Sequence, residues 1–95
     1  MSDVAIVTGG SRGIGRACAI KLARLGYAVV VNYASNKAAA DAVVSAITTT
    51  GGKAVAVMGD VSKEADVLGL FEAAERLGTL KILVNNAGIM DQASR

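Results

Sequence analysis

The chain has 95 residues, 53% hydrophobic and 19% charged, a length that excludes two full domains and leaves room for one modest core. Ten basic and eight acidic residues are scattered to a net charge of +2 and aromatics make up 3%, so neither a nucleic-acid surface nor a membrane-binding face is expected. Cys18 is alone and histidine is absent, which excludes an intrachain disulfide and the usual zinc ligand sets. The N-terminus is continuously apolar only over residues 4–7, too short and without the basic flank of a secretory segment, and no later stretch approaches a membrane span. A reducing, cytoplasmic location is therefore expected.

Four short apolar runs, at residues 4–7, 28–31, 54–58 and 82–84, begin about 25 residues apart. Each is continuous and rich in Val or Ile, the pattern of a strand buried on both faces of a parallel sheet. Helical periodicity fills the gaps. The first helix carries Ile14, Ala17, Cys18, Leu22 and Leu25 and ends at Gly26. The second carries Ala39, Val43, Ala46 and Ile47 between Ser35-Asn36 and Gly51-Gly52. The third carries Val67, Leu70, Phe71, Ala74 and Leu77, opens at Ser62 and stops at Gly78. Ser and Asn suit a helix N-cap and glycine the left-handed residue after the last turn, so these boundaries have a physical basis. The order β-α-β-α-β-α-β predicts a parallel α/β sheet, and no linker or low-complexity stretch divides it.

The first strand runs into Thr8-Gly9-Gly10-Ser11-Arg12-Gly13-Ile14-Gly15 and then into a helix. Free backbone amides and the positive end of the helix dipole make such a turn an anion site, and only residues without a Cβ let a diphosphate come close. Gly9 would permit the tight turn, Gly13 the close approach and Gly15 the packing of helix on strand. The segment from Gly10 to Gly15 also has the glycine spacing of a nucleotide-hydrolase phosphate loop. Arg16 and Ala17 follow it, however, so that loop's lysine and magnesium-binding hydroxyl are missing. Glycines serving a turn alone remain the structural alternative, although three in one strand-to-helix junction exceed what a turn needs.

The fourth strand ends in Asn85-Asn86-Ala87-Gly88. With right-handed crossovers, a chain that steps outward through three strands and returns beside the first gives the sheet order 3-2-1-4. Strands 1 and 4 then adjoin, and both motifs line the crevice at the switch point where open α/β sheets bind ligands.

Together these residues resemble the short-chain dehydrogenases/reductases. Thr8 to Gly15 is similar to the family's Thr-Gly-x-x-x-Gly-x-Gly cofactor loop, Asp60-Val61 to its adenine-contacting pair after strand 3, and Asn85 to Gly88 to its Asn-Asn-Ala-Gly motif. The resemblance implies a Rossmann-like, doubly wound sheet truncated to four strands, with residues 1–95 the N-terminal part of a single NAD(P)-binding domain. It further implies that Gly9, Ser11, Arg12 and Ile14 contact the diphosphate and ribose-phosphate side of the cofactor, Asp60 the adenine edge, and Asn86, Ala87 and Gly88 the adenosine ribose and the end of strand 4. Lys81 departs from the acidic residue many members carry, at a strand start away from the site.

A dinucleotide fold that prefers NAD usually ends strand 2 with Asp or Glu. Here that stretch is Asn32-Tyr33-Ala34-Ser35, of which Asn32, Tyr33 and Ser35 complete the expected cofactor site, and no carboxylate lies between Asp3 and Asp41. With Arg12 in the loop and Lys37 after strand 2, the local field favours NADP over NAD; the alternative is that both are ordinary solvated charges.

Family members owe their chemistry to a Tyr-x-x-x-Lys pair and a Ser from later elements, which would lie beyond Arg95. The one such string here, Tyr33 to Lys37, falls at the adenosine end of the cofactor and straddles a helix start, so no catalytic residue is assigned within the chain. The resemblance therefore implies the cofactor-binding part of an NADP-dependent oxidoreductase. Its carbonyl or alcohol substrate, as in 3-oxoacyl-carrier-protein reductases or sugar and alcohol dehydrogenases, would be held by the absent remainder, and the whole is expected to be a homo-oligomer. The alternative is a non-catalytic dinucleotide-binding module or vestigial half-domain.

Overall fold

A computed structural model of the chain describes residues 2–11 and 13–86. The elements run β1 (Ser2–Thr8), α1 (Gly13–Arg24), β2 (Ala28–Tyr33), α2 (Lys37–Thr49), β3 (Ala54–Met58), α3 (Glu64–Leu77) and β4 (Gly78–Asn85). They form a parallel, Rossmann-like four-stranded sheet in the order β3-β2-β1-β4, the expected topology. Val4 to Val7 of β1 lie beside Ala28 to Val31 of β2, and a register shift between Val4 and Ala5 sets Lys81 out of step on β4.

Alternation along the strands separates two cores. Val7, Val29, Val31 and Tyr33 face α1 and α2, where Ala19, Ala40, Val43 and Ile47 meet them. Val4, Ile6, Ala28 and Val30 face α3, which contributes Leu70 and Ala74. Among the described residues, one sheet face is thus covered by two helices and the other by α3 alone.

Three local expectations are corrected. Continuous apolar runs predict strands buried on both sides; β1 and β2 are, but β3 is half-buried and β4 alternates between half-buried and exposed because both are edges among the described residues. The stripe expected on α1 is realised only in part: Cys18 and Leu22 pack against the core, but Ala17 is exposed. Ile14 and Leu25 are each 66% exposed, whereas Gly15 and Ala19, one turn apart, are buried. Hydropathy favours the large side chains, but close approach of helix to strand selects the small ones. Finally, α3 does not open on a Ser62 cap: Lys63 occupies the N-cap, with no side-chain cap bond. At α2 the reading holds, with the Asn36 Oδ1 accepting from the Ala39 amide at 3.0 Å.

Candidate functional site

The C-terminal ends of all four strands lie along one margin of the sheet, as parallel pairing requires. The β1 turn is its centre. Gly9 has φ +60° and Gly13, the first residue of α1, φ +61°, a region in which an L side chain is strained. An ideal Cβ on Gly13 would meet nothing within 4 Å, so the turn leaves open space beside the amides of the first helical turn. Gly15 is the opposite case: a Cβ there would collide with the Gly9 carbonyl oxygen and come within 2.8 Å of Asn86 Nδ2. The residue is glycine because α1 rests directly on the turn.

Two asparagines hold that turn. Asn86 Nδ2 donates to the Gly9 carbonyl at 3.1 Å, joining β4 to the loop, while its buried Oδ1 has no hydrogen-bond partner among the described residues. Asn32 Oδ1 accepts from the Gly9 amide at 3.3 Å, and the Asn32 carbonyl accepts from the Gly10 amide at 3.0 Å. The Thr8 hydroxyl donates toward the Val84 carbonyl at 3.2 Å and lies 3.3 Å from Asn85 Oδ1, so β1 and β4 are also tied at their ends.

Beside the turn, between the ends of β1, β2 and β3, lies a cleft of about 340 Å³ lined by Gly9, Asn32, Ala34, Gly59, Asp60, Val61 and Ser62. Asp60 Oδ1 accepts from both the Ser62 hydroxyl (2.7 Å) and the Ser62 amide (2.9 Å), and the Asp60 amide donates to Asp66 Oδ2 at 2.8 Å. Ser62 therefore builds the cleft rim instead of capping α3. These two bonds, the hydroxyl first, hold the Asp60 carboxyl below its ordinary pKa. Because the folded-state value is the lowered one, their contribution is present at neutral pH and lost as pH falls through the carboxylate range.

The structure brings Gly9, Gly13, Gly15, Asn32, Asp60, Val61 and Asn86 to this margin, with Ser11 in the turn and Ile14 exposed at the start of α1. Ser35 is exposed just beyond β2. Tyr33 stands apart, because its side chain is buried in the α1/α2 core and only its backbone reaches the rim, accepting from the Gly59 amide at 2.9 Å. Lys37 is paired with Asp41 at 2.8 Å, a hydrogen bond and charge that raise its pKa. Lys37 gives its hydrogen bond to Asp41, and none joins it to Tyr33 among the described residues, so the two do not form a proton-transfer pair. Arg12, Ala87 and Gly88 lie outside the described residues. Among the described residues no cluster of three or more His, Cys, Asp or Glu could hold a metal ion, and no helix is long and apolar enough to cross a membrane.

A parallel α/β sheet with a glycine turn and a helix N-terminus at its switch point, and a cleft beside them over β2 and β3, has the architecture of a dinucleotide-binding fold. The family model for short chain dehydrogenases matches residues 3–95, and the chain belongs to that family. It is 59% identical over 92 residues to an uncharacterized oxidoreductase of Methylorubrum extorquens, covering 96% of this chain and 37% of that protein. It is 48% identical over 89 residues to a 3-oxoacyl-[acyl-carrier-protein] reductase of Synechocystis, covering 93% and 36% respectively. A crystal structure of a dehydrogenase/reductase from Sinorhizobium meliloti superimposes with a TM-score of 0.83 at 45% identity, over 87% of this chain and 33% of that one. The chain thus spans just over a third of the length of these two curated relatives, whereas it spans 83% of a short-chain dehydrogenase/reductase homolog of Bacillus subtilis to which it is 43% identical over 90 residues.

Proposed function

We propose that these residues form the NADP(H)-binding part of an oxidoreductase that transfers a hydride between the cofactor and a carbonyl or alcohol substrate. The observation that carries this reading is the Gly9–Gly15 turn, with φ positive at Gly9 and Gly13 and open space where a Gly13 Cβ would stand. Such a turn fits a diphosphate, which the first-turn amides of α1 would hold, with the adjoining cleft between Asp60 and Ala34 taking the adenosine end. When bound, the cofactor supplies or accepts the hydride. The chain's own residues bind and orient it; proton transfer and substrate binding belong to the remainder of the protein.

NADP is favoured over NAD because the end of β2 offers Asn32, Ala34 and Ser35 and no carboxylate to repel a 2′-phosphate. Since Lys37 is paired with Asp41, Arg12 is left as the cation assigned to that phosphate. A charge-assisted contact contributes about 1.5–3 kcal/mol, so Arg12→Ala should weaken NADPH binding roughly ten- to a hundredfold and leave NADH nearly unchanged. Titrations of both cofactors into the complete protein decide this, and equal losses would sink the assignment. Turnover of a carbonyl substrate with NADPH by the complete protein tests the wider reading; binding without turnover of any carbonyl or alcohol would favour a non-catalytic module.

Gly13 permits a cleaner test of the turn. Asparagine tolerates positive φ better than other residues with a side chain, and, its chain neighbours and own helix backbone aside, no atom of the described residues lies within 4 Å of the Cβ position. Gly13→Asn should therefore fold with little loss of stability yet weaken the dinucleotide at least about tenfold, by about 1.4 kcal/mol or more, because its side chain enters the space assigned to the diphosphate. Unchanged affinity would make the loop a purely structural turn.

A further inference from the structure

Asn32 is a polar residue in a strand of valines, 2% exposed, at the penultimate position of β2 on the face it shares with Val30 and Ala28. Its side chain is fully engaged. Oδ1 accepts from the Gly9 amide at 3.3 Å, and Nδ2 donates to the Val57 carbonyl at 3.3 Å and to the Gly59 carbonyl at 3.1 Å. Its own carbonyl takes the Gly10 amide at 3.0 Å. One residue therefore joins the turn after β1 to the end of β3 across β2.

A primary amide suits this position because it offers an acceptor and two donors in one plane. An aliphatic side chain of similar size would leave the Gly9 amide and the two carbonyls without these bonds, and buried polar groups of that kind are costly. The strands themselves do not depend on it, since β2 and β3 are paired from Val29 with Ala54 through Tyr33 with Met58. What the side chain adds is the position of Gly9 relative to Gly59, both of which line the 340 Å³ cleft.

We propose that Asn32 is a positioning residue for the dinucleotide site: it acts through the backbone of Gly9 and Gly10, holding the turn at a fixed distance from the β3 end, without needing to touch the cofactor. This rests on the reading of the margin as a cofactor site. Aspartate in its place keeps the acceptor for the Gly9 amide but sets a carboxylate oxygen against two carbonyl oxygens. Only the protonated acid can donate to one of them, and burial raises the pKa of such a group. The defect should therefore be reversed by acid.

The experiment uses the complete protein carrying this segment. NADPH dissociation constants for Asn32→Asp and Asn32→Val are divided by the wild-type value at each pH. The charged groups on neighbouring elements, Asp60, Lys63 and Asp66, together with Arg12 and the cofactor phosphate, are common to all three proteins and largely cancel in the ratio. For Asn32→Asp the ratio should be about tenfold or more near about pH 8 and fall to about threefold or less near about pH 5.5, whereas Asn32→Val should stay weak at both. Without cofactor, the Gly9 and Gly10 amides should exchange at least about tenfold faster than wild type in the Asp variant near about pH 8, while β1 and β2 keep their protection.

A ratio near one at every pH, or unchanged exchange at Gly9 and Gly10, would overturn the proposal. If the wild type binds no dinucleotide, the cofactor reading fails and the positioning role fails with it, whereas wild-type binding with an indifferent Asn32→Asp defeats the positioning role alone. Should Asn32→Asp not fold at the higher pH, Asn32→Ser, shorter and neutral, takes its place: wild-type affinity and exchange in that variant count against the proposal, and weakened binding with fast Gly9 exchange supports it.

Discussion

Gly15→Ala is expected to destabilise the complete protein by about 1–3 kcal/mol and to abolish detectable dinucleotide binding, although it adds a single methyl group. The added Cβ would overlap the Gly9 carbonyl oxygen and stand 3.0 Å from the Gly9 carbonyl carbon. Neither atom belongs to a flexible side chain. Gly9 is held by Asn32 on one side and by Asn86 on the other, so the clash is relieved only if the start of α1 lifts away from the turn. That movement displaces the first-turn amides on which anion binding depends. Gly69→Ala supplies the contrast: Gly69 lies within α3 with nothing within 4 Å of its Cβ position, and alanine should stabilise by about 0.5–1 kcal/mol through helix propensity. Denaturant unfolding and NADPH titration of both variants check the pair. Wild-type stability and affinity in Gly15→Ala would show that α1 does not bear on the turn as described.

The strand order was legible because it follows from local patterns: four Val- and Ile-rich runs, helical periods between them, and handed crossovers. Gly9 and Gly13 were legible too, since a strand-to-helix turn demands positive φ somewhere in its few residues. Burial of β3 and β4 was not, because whether an apolar run is covered depends on which strand lies next to it. The exposed members of the α1 stripe have a related cause. Ile14 and Leu25 look like core, but the buried positions are Gly15, set against the Gly9 carbonyl, and Ala19, in the core with Val7, whose small size lets the helix come close. The sequence places Asn32 and Asn86 at the cofactor site but does not show that both hold the Gly9 turn. Their bonds to Gly9 span 23 and 77 residues, a separation no local pattern encodes. A usable signal was present at Asn32 all the same, since an amide between a buried valine run and a core tyrosine must find partners.

The 95-residue chain by itself is expected to be inactive as an oxidoreductase and to associate or aggregate at micromolar concentration. On the sheet face carrying Ile6, α3 is the only described cover, and an opening of about 140 Å³ remains between it and β4, lined by Val61, Val67, Leu70, Phe71 and Leu83 among others. Leu83, which lines it, is 52% exposed, and Leu68 elsewhere on α3 is 54% exposed. No described strand lies on the far side of β4, and an edge carrying apolar side chains is a template for further pairing. The irregular register at Lys81 is a partial defence, breaking the ladder near the start of the strand, but Ile82, Leu83 and Val84 follow in regular pairing with Ala5, Ile6 and Val7. Each large aliphatic side chain left in water forgoes about 1.5–3 kcal/mol, a sizeable share of a total stability of about 5–15 kcal/mol. Leu83→Lys should accordingly reduce association of the 95-residue chain, because a charge at the middle of the edge opposes both stacking and pairing. Light scattering follows the association and denaturant titration the cooperativity; a monomer that unfolds cooperatively at micromolar concentration, with Leu83 in place, would show that α3 and the two edge strands suffice without further cover.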